Sequence, residues 1–197
     1  MAIDRIAVFG GTFDPIHNGH ISVARCLLTE LKADLVVIVP TGRPWLRTDT
    51  PVASPEDRLS MVRIAVKGEI GIEVSDVDVL RSGTTYSIDT LDDLRDVYGK
   101  GPEYYIAIGT DTLPQLHRWH RYEDLVHACR FAVVQRPGIK LMSNIPLPDG
   151  AAMIDGPMID ISASQIRKMY ANGELDAAAN VVPSSTHRFI IEEGLYR

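Results

Sequence analysis

The chain has 197 residues, of which 45% are hydrophobic and 23% charged, proportions typical of one globular domain with a substantial core. Its formal net charge of −6 argues against a nucleic-acid-binding surface, because such surfaces need clustered positive charge. No segment is apolar for long enough to span a bilayer, and the N-terminus lacks the features of a signal peptide, so we expect a cytoplasmic protein with no nucleic-acid or membrane partner.

Strand and helix signals alternate from the start of the chain. Residues 3–9, which end in the apolar run 6–9, and the continuous apolar run 35–39 predict buried strands of a parallel sheet covered on both faces. A helix is predicted between them, over about 19–31. A Ser-Pro pair at 54–55 predicts the start of another helix, which runs to about 67, because Ser is a favoured N-cap and Pro is favoured at the first helical position.

The same alternation continues to the end of the chain. It predicts strands over 72–79, 104–108, 131–134 and near 158–161, and helices over 87–98, 122–128, 162–172 and 183–194, with a surface loop over 137–157. We therefore expect one domain over 1–197, an α/β, Rossmann-like, doubly wound parallel sheet with a small helical tail over about 162–197. Right-handed crossovers in such a sheet place ligands at the carboxyl ends of the strands.

A glycine- and histidine-rich motif follows the first predicted strand: Gly-Gly-Thr-Phe-Asp-Pro-Ile-His-Asn-Gly-His, over 10–20. Its first two glycines let the backbone pass close to a ligand. Gly19 and His20 open a helix whose free N–H groups favour phosphate. His17 and His20 are three residues apart, so both rings can face one pocket. A simple tight turn needs neither histidine, and both the Walker loop and the Gly-x-Gly-x-x-Gly fingerprint of dinucleotide-dependent dehydrogenases are missing from the sequence.

The two cysteines, Cys26 and Cys129, lie 103 positions apart, and neither belongs to a Cys-x-x-Cys or Cys/His cluster. Zinc sites need such clusters. We expect two buried thiols and no metal ligands from the chain itself.

The motif over 10–20 resembles the nucleotidyltransferase signature, whose His-x-Gly-His is similar to that of class I aminoacyl-tRNA synthetases. The whole chain resembles the bacterial nicotinate-nucleotide adenylyltransferases. Further matches occur in the family's order over essentially the full length, at 82–87, 89–90, 108–111, 119, 136–138, 161–167 and 193–196.

This resemblance implies transfer of AMP from ATP to nicotinate mononucleotide, which yields nicotinate adenine dinucleotide and pyrophosphate in NAD biosynthesis. It implies a catalytic group consisting of His17, His20 and Arg167. It implies an ATP-binding group, with Asp111 at the ribose, consisting of Gly10, Gly11, Thr12, Gly19, Gly109, Asp111, Ser162 and Ser164. It implies a nicotinate mononucleotide-binding group, with Trp119 stacked on the pyridine ring, consisting of Arg47, Ser87 and Trp119.

The reaction fits these residue types. The attacking phosphate oxygen is already anionic at neutral pH, so direct in-line transfer needs no general base, only positioning and neutralisation of charge. We expect Mg²⁺ as cofactor, bound mainly through the phosphates of ATP.

The sequence departs from the family pattern in a few places. The family commonly has Pro-Pro-His-Lys where residues 44–47 read Pro-Trp-Leu-Arg, which changes the loop that contains Arg47. Ser87 and Ser164 stand where Thr is usual, and both keep the hydroxyl.

Alternatives remain open at this point. A related adenylyltransferase could act on nicotinamide mononucleotide or 4'-phosphopantetheine, and a nucleotide-sensing protein could bind ATP without catalysis. The substrates ATP and nicotinate mononucleotide are the expected partners, and homo-oligomerisation stays open.

Overall fold

The computed structural model describes residues 3–45, 51–135, 146–157, 159 and 161–197. The described strands form one parallel sheet, in the order β3-β2-β1-β4-β5-β6. In chain order they are β1 Arg5–Gly11, β2 Leu35–Pro40, β3 Ile72–Val74, β4 Glu103–Gly109, β5 Arg130–Val134 and β6 Ala152–Ile154. The strand order reverses direction between β1 and β4, which is the switch point of a doubly wound sheet. The predicted Rossmann-like fold class is confirmed.

Helices cover both faces of this sheet. In chain order the α-helices are α1 Asn18–Thr29, α2 Pro55–Ala65, α3 Val77–Leu80, α4 Ser87–Tyr98, α5 Tyr122–Ala128, α6 Ala163–Ala171, α7 Leu175–Ala179 and α8 Ser184–Glu192, with a 3₁₀ turn over Leu113–Arg118. No helix in the described ranges is long and apolar enough to cross a membrane.

The sheet is buried on both sides because neighbouring strand residues point to opposite faces. Ala7 packs into the core under α1, α2 and the C-terminal helices, whereas its neighbours Ile6 and Val8 pack into the core under α4 and α5. Residues 35–40 are all buried for the same reason. The continuous apolar runs of the sequence are thus a consequence of two cores that share one sheet.

Helix starts follow the sequence signals closely. Ser54 caps α2 by accepting from the Asp57 N–H at 3.0 Å, with Pro55 as the first helical residue. Ser162 caps α6 by accepting from the Gln165 N–H at 3.2 Å. Pro183 immediately precedes α8, as predicted.

Two strand predictions are wrong in extent or place. The predicted strand over 72–79 ends at Val74. The last hydrogen bond to β2 runs from the Ser75 N–H to the Ile38 carbonyl, and the chain then turns into α3. The sixth strand is Ala152–Ile154 rather than 158–161, and it lies inside the predicted loop 137–157. Its signal was weak because only Ile154 of its three residues is buried. Residues 158 and 160 lie outside the described residues.

Candidate active site

The loop after β1 begins at the switch point and leads into α1. Phe13 lies in this loop with a φ of +51°, a left-handed conformation that is unusual for a bulky residue. Its buried ring packs edge-on against Phe9 and His20, with centroids 5.4 and 5.0 Å away. These contacts hold the loop in its conformation.

The two glycines that end β1 play different local roles. A Cβ at Gly11 would lie 2.8 Å from the Phe13 ring, so this glycine lets the ring pack beneath the strand. A Cβ at Gly10 would meet no atom within 4 Å. Gly10 therefore leaves open space beside the strand, which fits the close approach of a ligand to the backbone.

The rings of His17 and His20 lie together at the N-terminus of α1. Their centroids are 3.6 Å apart and their planes differ by 26°, so they are stacked. The His20 Nδ1 accepts a hydrogen bond from the His17 backbone N–H at 3.2 Å. A Cβ at Gly19 would lie only 3.0 Å from the His17 Nδ1, so a glycine between the histidines makes room for the His17 ring.

Arg167 reaches the same loop from α6. Its Nη1 donates to the Asp14 carbonyl at 2.8 Å and lies 3.7 Å from an Asp14 carboxylate oxygen. Its Nη2 donates to the Ser164 hydroxyl at 3.2 Å. Ser164 and Arg167 thus act as one unit beside the loop. The Ser162 hydroxyl, in contrast, bonds to Gln165 as the N-cap, so a ligand would compete with that cap.

A cavity of about 210 Å³ lies beside the switch point. Its walls come from β1, β4, the loop after β2 and the first turn of α4. Among the predicted site residues, those that line it are Gly10, Gly11, Thr12, Ser87 and Trp119. The structure therefore brings one end of the predicted ATP site and two residues of the predicted mononucleotide site to a single cavity.

The remaining predicted residues are not part of the cavity lining or lie outside the described residues. Gly109 ends β4, and Asp111 follows it as an exposed residue in a turn. Arg47 and the motif over 136–138 lie outside the described residues.

One rim of the cavity is built from aromatic side chains and backbone pairing. The loop after β2 pairs with the segment before α4, where the Thr85 N–H donates to the Arg43 carbonyl at 3.0 Å. Next in this loop, Trp45 packs edge-on against Tyr86, with centroids 5.5 Å apart. Tyr86 in turn stacks on His120 at 4.1 Å. Trp45 also lines the cavity, and the sequence analysis did not assign it a role.

Sequence analysis also missed Asp78, a buried carboxyl group in the cavity wall. The Thr90 hydroxyl donates to it at 2.8 Å, and the Arg81 guanidinium lies 4.0 Å away. Burial raises the pKa of Asp78 to about 6, although the Thr90 hydrogen bond and Arg81 oppose this shift. Within the segment 72–79 the sequence alternates like a strand, so nothing in the pattern marked this residue.

Arg58 is a second missed residue. It is fully buried on α2 and donates to the Thr12 carbonyl at 2.6 Å and to the Gly42 carbonyl at 3.2 Å. It therefore ties the loop after β1 to the loop after β2. An Arg near the start of a helix is usually a surface charge, so no sequence pattern marks this contact.

Comparisons with known proteins agree with this arrangement. Residues 8–169 match the family described as cytidylyltransferase-like. The chain is similar to proteins named "probable nicotinate-nucleotide adenylyltransferase" from Saccharopolyspora erythraea, with 39% identity over 98% of this chain and 90% of that one, and from Dehalococcoides mccartyi strain 195, with 34% identity over 98% and 97%. The corresponding protein of Neisseria meningitidis serogroup B is 36% identical over 98% of both chains.

Solved structures show the same fold at lower identity. The nicotinic acid mononucleotide adenylyltransferase of Plasmodium falciparum complexed with NaAD superposes with a TM-score of 0.81 and 22% identity, over 98% of this chain and 97% of that one. The same enzyme complexed with APC superposes with a TM-score of 0.79 and 21% identity, over the same shares of the two chains.

Proposed function

The chain belongs to the cytidylyltransferase-like family, and on that premise we propose that it transfers AMP from ATP to nicotinate mononucleotide. The products are nicotinate adenine dinucleotide and pyrophosphate. We further propose that residues 1–197 act as one catalytic domain for this reaction.

The observation that carries the proposal is the convergence of three cationic or donor side chains on the loop after β1. His17 and His20 are stacked at the start of α1, and Arg167 is bonded to Asp14 in the same loop. Arg167 is distant from both histidines in the sequence, so only the fold brings it to them. Helix N-termini and guanidinium groups favour phosphate, and the loop after β1 that joins both borders the cavity through Gly11 and Thr12.

The reaction needs no proton transfer to start. A phosphate oxygen of the mononucleotide attacks the α-phosphorus of ATP and forms the new P–O bond. The bond between the α-phosphorus and the bridging oxygen breaks, and pyrophosphate leaves with the electron pair. His17, His20 and Arg167 stabilise the negative charge on the phosphates as it redistributes in the transition state.

The cavity is the proposed site for the pyridine end of the mononucleotide. Ser87 is the first residue of α4, so the N–H groups of that turn are available to a carboxylate. Trp119 supplies an aromatic face in the same wall. Gly10 and Thr12 border the cavity on the side of the loop and would meet the phosphates.

We propose that ATP enters as its Mg²⁺ complex. Asp14, the one carboxylate of the loop after β1, accepts hydrogen bonds from the Val52 and Ala53 N–H groups and from the Tyr196 hydroxyl. These three donors fix the buried carboxylate in place, which disfavours its use as a metal ligand. The metal would therefore be held through the ATP phosphates and water.

The direct test measures pyrophosphate release from Mg²⁺-ATP with each of three acceptors: nicotinate mononucleotide, nicotinamide mononucleotide and 4'-phosphopantetheine. We expect the fastest release with nicotinate mononucleotide, none without an acceptor, and loss of activity in excess chelator. ATP binding without pyrophosphate release for any acceptor would contradict the enzyme assignment and favour a nucleotide sensor.

A single-turnover experiment with ATP labelled at the α-phosphate tests the direct transfer. We expect no label on the protein when it is incubated with labelled ATP and no acceptor. A labelled protein that passes its label to the acceptor would overturn direct transfer.

A further inference from the structure

Tyr196, close to the end of the chain, inserts its side chain into the core beneath the loop after β1. The Tyr196 hydroxyl donates to the Asp14 Oδ1 at 2.8 Å, although the two residues are 182 positions apart. Both side chains are buried, with only 6% and 3% of their surfaces exposed. Tyr196 has a φ of +64°, so the backbone accepts an unusual conformation to place the ring there.

The Asp14 carboxylate is fixed by several donors at once. The Val52 N–H donates to its Oδ2 at 2.8 Å, and the Ala53 N–H donates to its Oδ1 at 3.1 Å. A buried carboxylate needs such partners, and each lost partner costs free energy. Burial and the neighbouring Asp14 raise the pKa of Tyr196, which keeps its hydroxyl protonated and able to donate.

The same aspartate holds Arg167. The Arg167 Nη1 donates to the Asp14 carbonyl at 2.8 Å and faces the carboxylate at 3.7 Å. Tyr196, Asp14 and Arg167 therefore form one continuous set of contacts that joins the end of the chain, the loop after β1 and α6. A shift of Asp14 would move the carbonyl to which the guanidinium is bonded.

We propose that Tyr196 is a positioning residue for AMP transfer: through Asp14, its hydroxyl holds the Arg167 guanidinium where it can contact the triphosphate. This role rests on the function proposed above. It differs from simple anchoring of the C-terminal helices, because it predicts an effect on the chemical step beyond any effect on stability.

The chain offers a matched control for that distinction. Tyr170 is buried to the same extent as Tyr196, and its hydroxyl bonds to the His187 Nδ1 at 2.8 Å, which joins α6 to α8. Its ring lies 6.1 Å from the ring of Tyr196. The change Tyr170→Phe removes one buried hydroxyl close to Tyr196 and leaves the contact between Tyr196 and Asp14 intact.

The first experiment compares wild type, Tyr196→Phe and Tyr170→Phe by kcat, by KM for each substrate and by Tm. Since a misplaced catalytic group can cost up to about 100-fold, we expect Tyr196→Phe to lower kcat about tenfold with little change in either KM. Tyr170→Phe should lower Tm to a similar degree and keep its kcat. A wild-type kcat in Tyr196→Phe, or an equal loss in both variants, would overturn the positioning role. An inactive wild type would instead overturn the proposed function, and this role with it.

The second experiment tests the route through Arg167 with a double-mutant cycle. In an Arg167→Lys background the planar guanidinium is already gone, so Tyr196→Phe should cost about twofold or less in kcat rather than about tenfold. Rates in this background are measured at high enzyme concentration. An equal loss in both backgrounds would show that Tyr196 does not act through Arg167, and would overturn the inference.

Discussion

The His20 Nδ1 accepts a hydrogen bond from the backbone N–H of His17 at 3.2 Å. An amide N–H can only donate, so the Nδ1 of His20 carries no proton in this contact. In a neutral ring the proton is then on Nε2, which leaves this N–H as the donor that the proposed mechanism assigns to a phosphate oxygen. The spacing of the two histidines in the sequence thus fixes the tautomer as well as the position of the second ring.

We expect His20→Ala to lower kcat by roughly 100- to 1000-fold, the usual range for loss of one donor to a developing charge. The fold and most of the ATP affinity should remain, because the ring is partly exposed and the proposed site offers ATP other contacts. Steady-state kinetics together with ATP binding measure both effects. His127→Ala, on an exposed helix residue, is the control. Retention of more than about a tenth of wild-type kcat by His20→Ala would contradict the role.

Gly10→Ala and Gly11→Ala should separate ligand binding from folding. A methyl group at Gly10 would enter open space beside the cavity, so we expect an unchanged Tm and a KM for ATP raised about tenfold by the steric conflict. A methyl group at Gly11 would lie 2.8 Å from the Phe13 ring, so Gly11→Ala should lower the free energy of unfolding by about 1–3 kcal/mol. Thermal unfolding gives Tm and the change in the free energy of unfolding, and rates measured over a range of ATP concentrations give KM. The reverse pattern would contradict the local roles of the two glycines.

Asp78 should make stability depend on pH in a distinctive direction. Burial raises its pKa to about 6, so the folded state binds this proton more tightly than the unfolded state. Protonation of Asp78 therefore adds to the free energy of unfolding. This contribution, near ~2–3 kcal/mol in total, is complete below about pH 4 and is lost as the pH rises through about 6.

The measurement is the difference in free energy of unfolding between wild type and Asp78→Asn, taken from pH 4 to pH 8. The Asn keeps an acceptor for the Thr90 hydroxyl but has no charge to desolvate. Other groups titrate in both proteins and cancel in the difference. Wild type should lose stability relative to Asp78→Asn as the pH rises. If the difference in free energy of unfolding did not change with pH, or changed in the opposite direction, burial would not destabilise the ionised form of Asp78.

The parts of the fold that local chemistry determines were predictable from the sequence. Strands buried on both faces appear as continuous apolar runs. Ser54 and Ser162 mark the starts of α2 and α6 because serine is a favoured N-cap residue. The predicted strand over 72–79 and the place of the sixth strand were wrong, because both lie at sheet edges, where pairing with one neighbour decides their extent.

The candidate site divides in the same way. The motif over 10–20 carries its own geometry, so the pairing of His17 with His20 was predictable. Arg58 and Tyr196 were not assigned roles, because their partners are 46 and 182 positions away in the chain. No local pattern encodes such contacts. They follow from the order of the strands, which brings the loops after β1 and β2 beneath the C-terminal helices.

The cavity also predicts which mononucleotide is preferred. At the start of α4, Tyr86 makes no side-chain cap to the first turn within the described residues, which leaves N–H groups that can donate. The structure adds the Asp78 carboxyl to the cavity wall, but this group already accepts from Thr90 and faces Arg81. The N–H groups of the first turn of α4 are therefore the donors that we expect the ring substituent to meet.

A carboxylate on the pyridine ring can accept from all of these donors, whereas an amide must turn its NH₂ towards one of them. A buried mismatch of that kind costs roughly 1–3 kcal/mol, so kcat/KM for nicotinate mononucleotide should exceed that for nicotinamide mononucleotide by at least about tenfold to 100-fold. The ratio is measured at saturating Mg²⁺-ATP. In the proposed site Trp119 stacks on the pyridine ring and does not donate to the ring substituent. Trp119→Phe, which keeps a smaller aromatic face, should therefore lower kcat/KM for both acceptors and leave their ratio unchanged. A wild-type ratio near one, or a preference for the amide, would contradict the acid-specific assignment and leave AMP transfer itself intact.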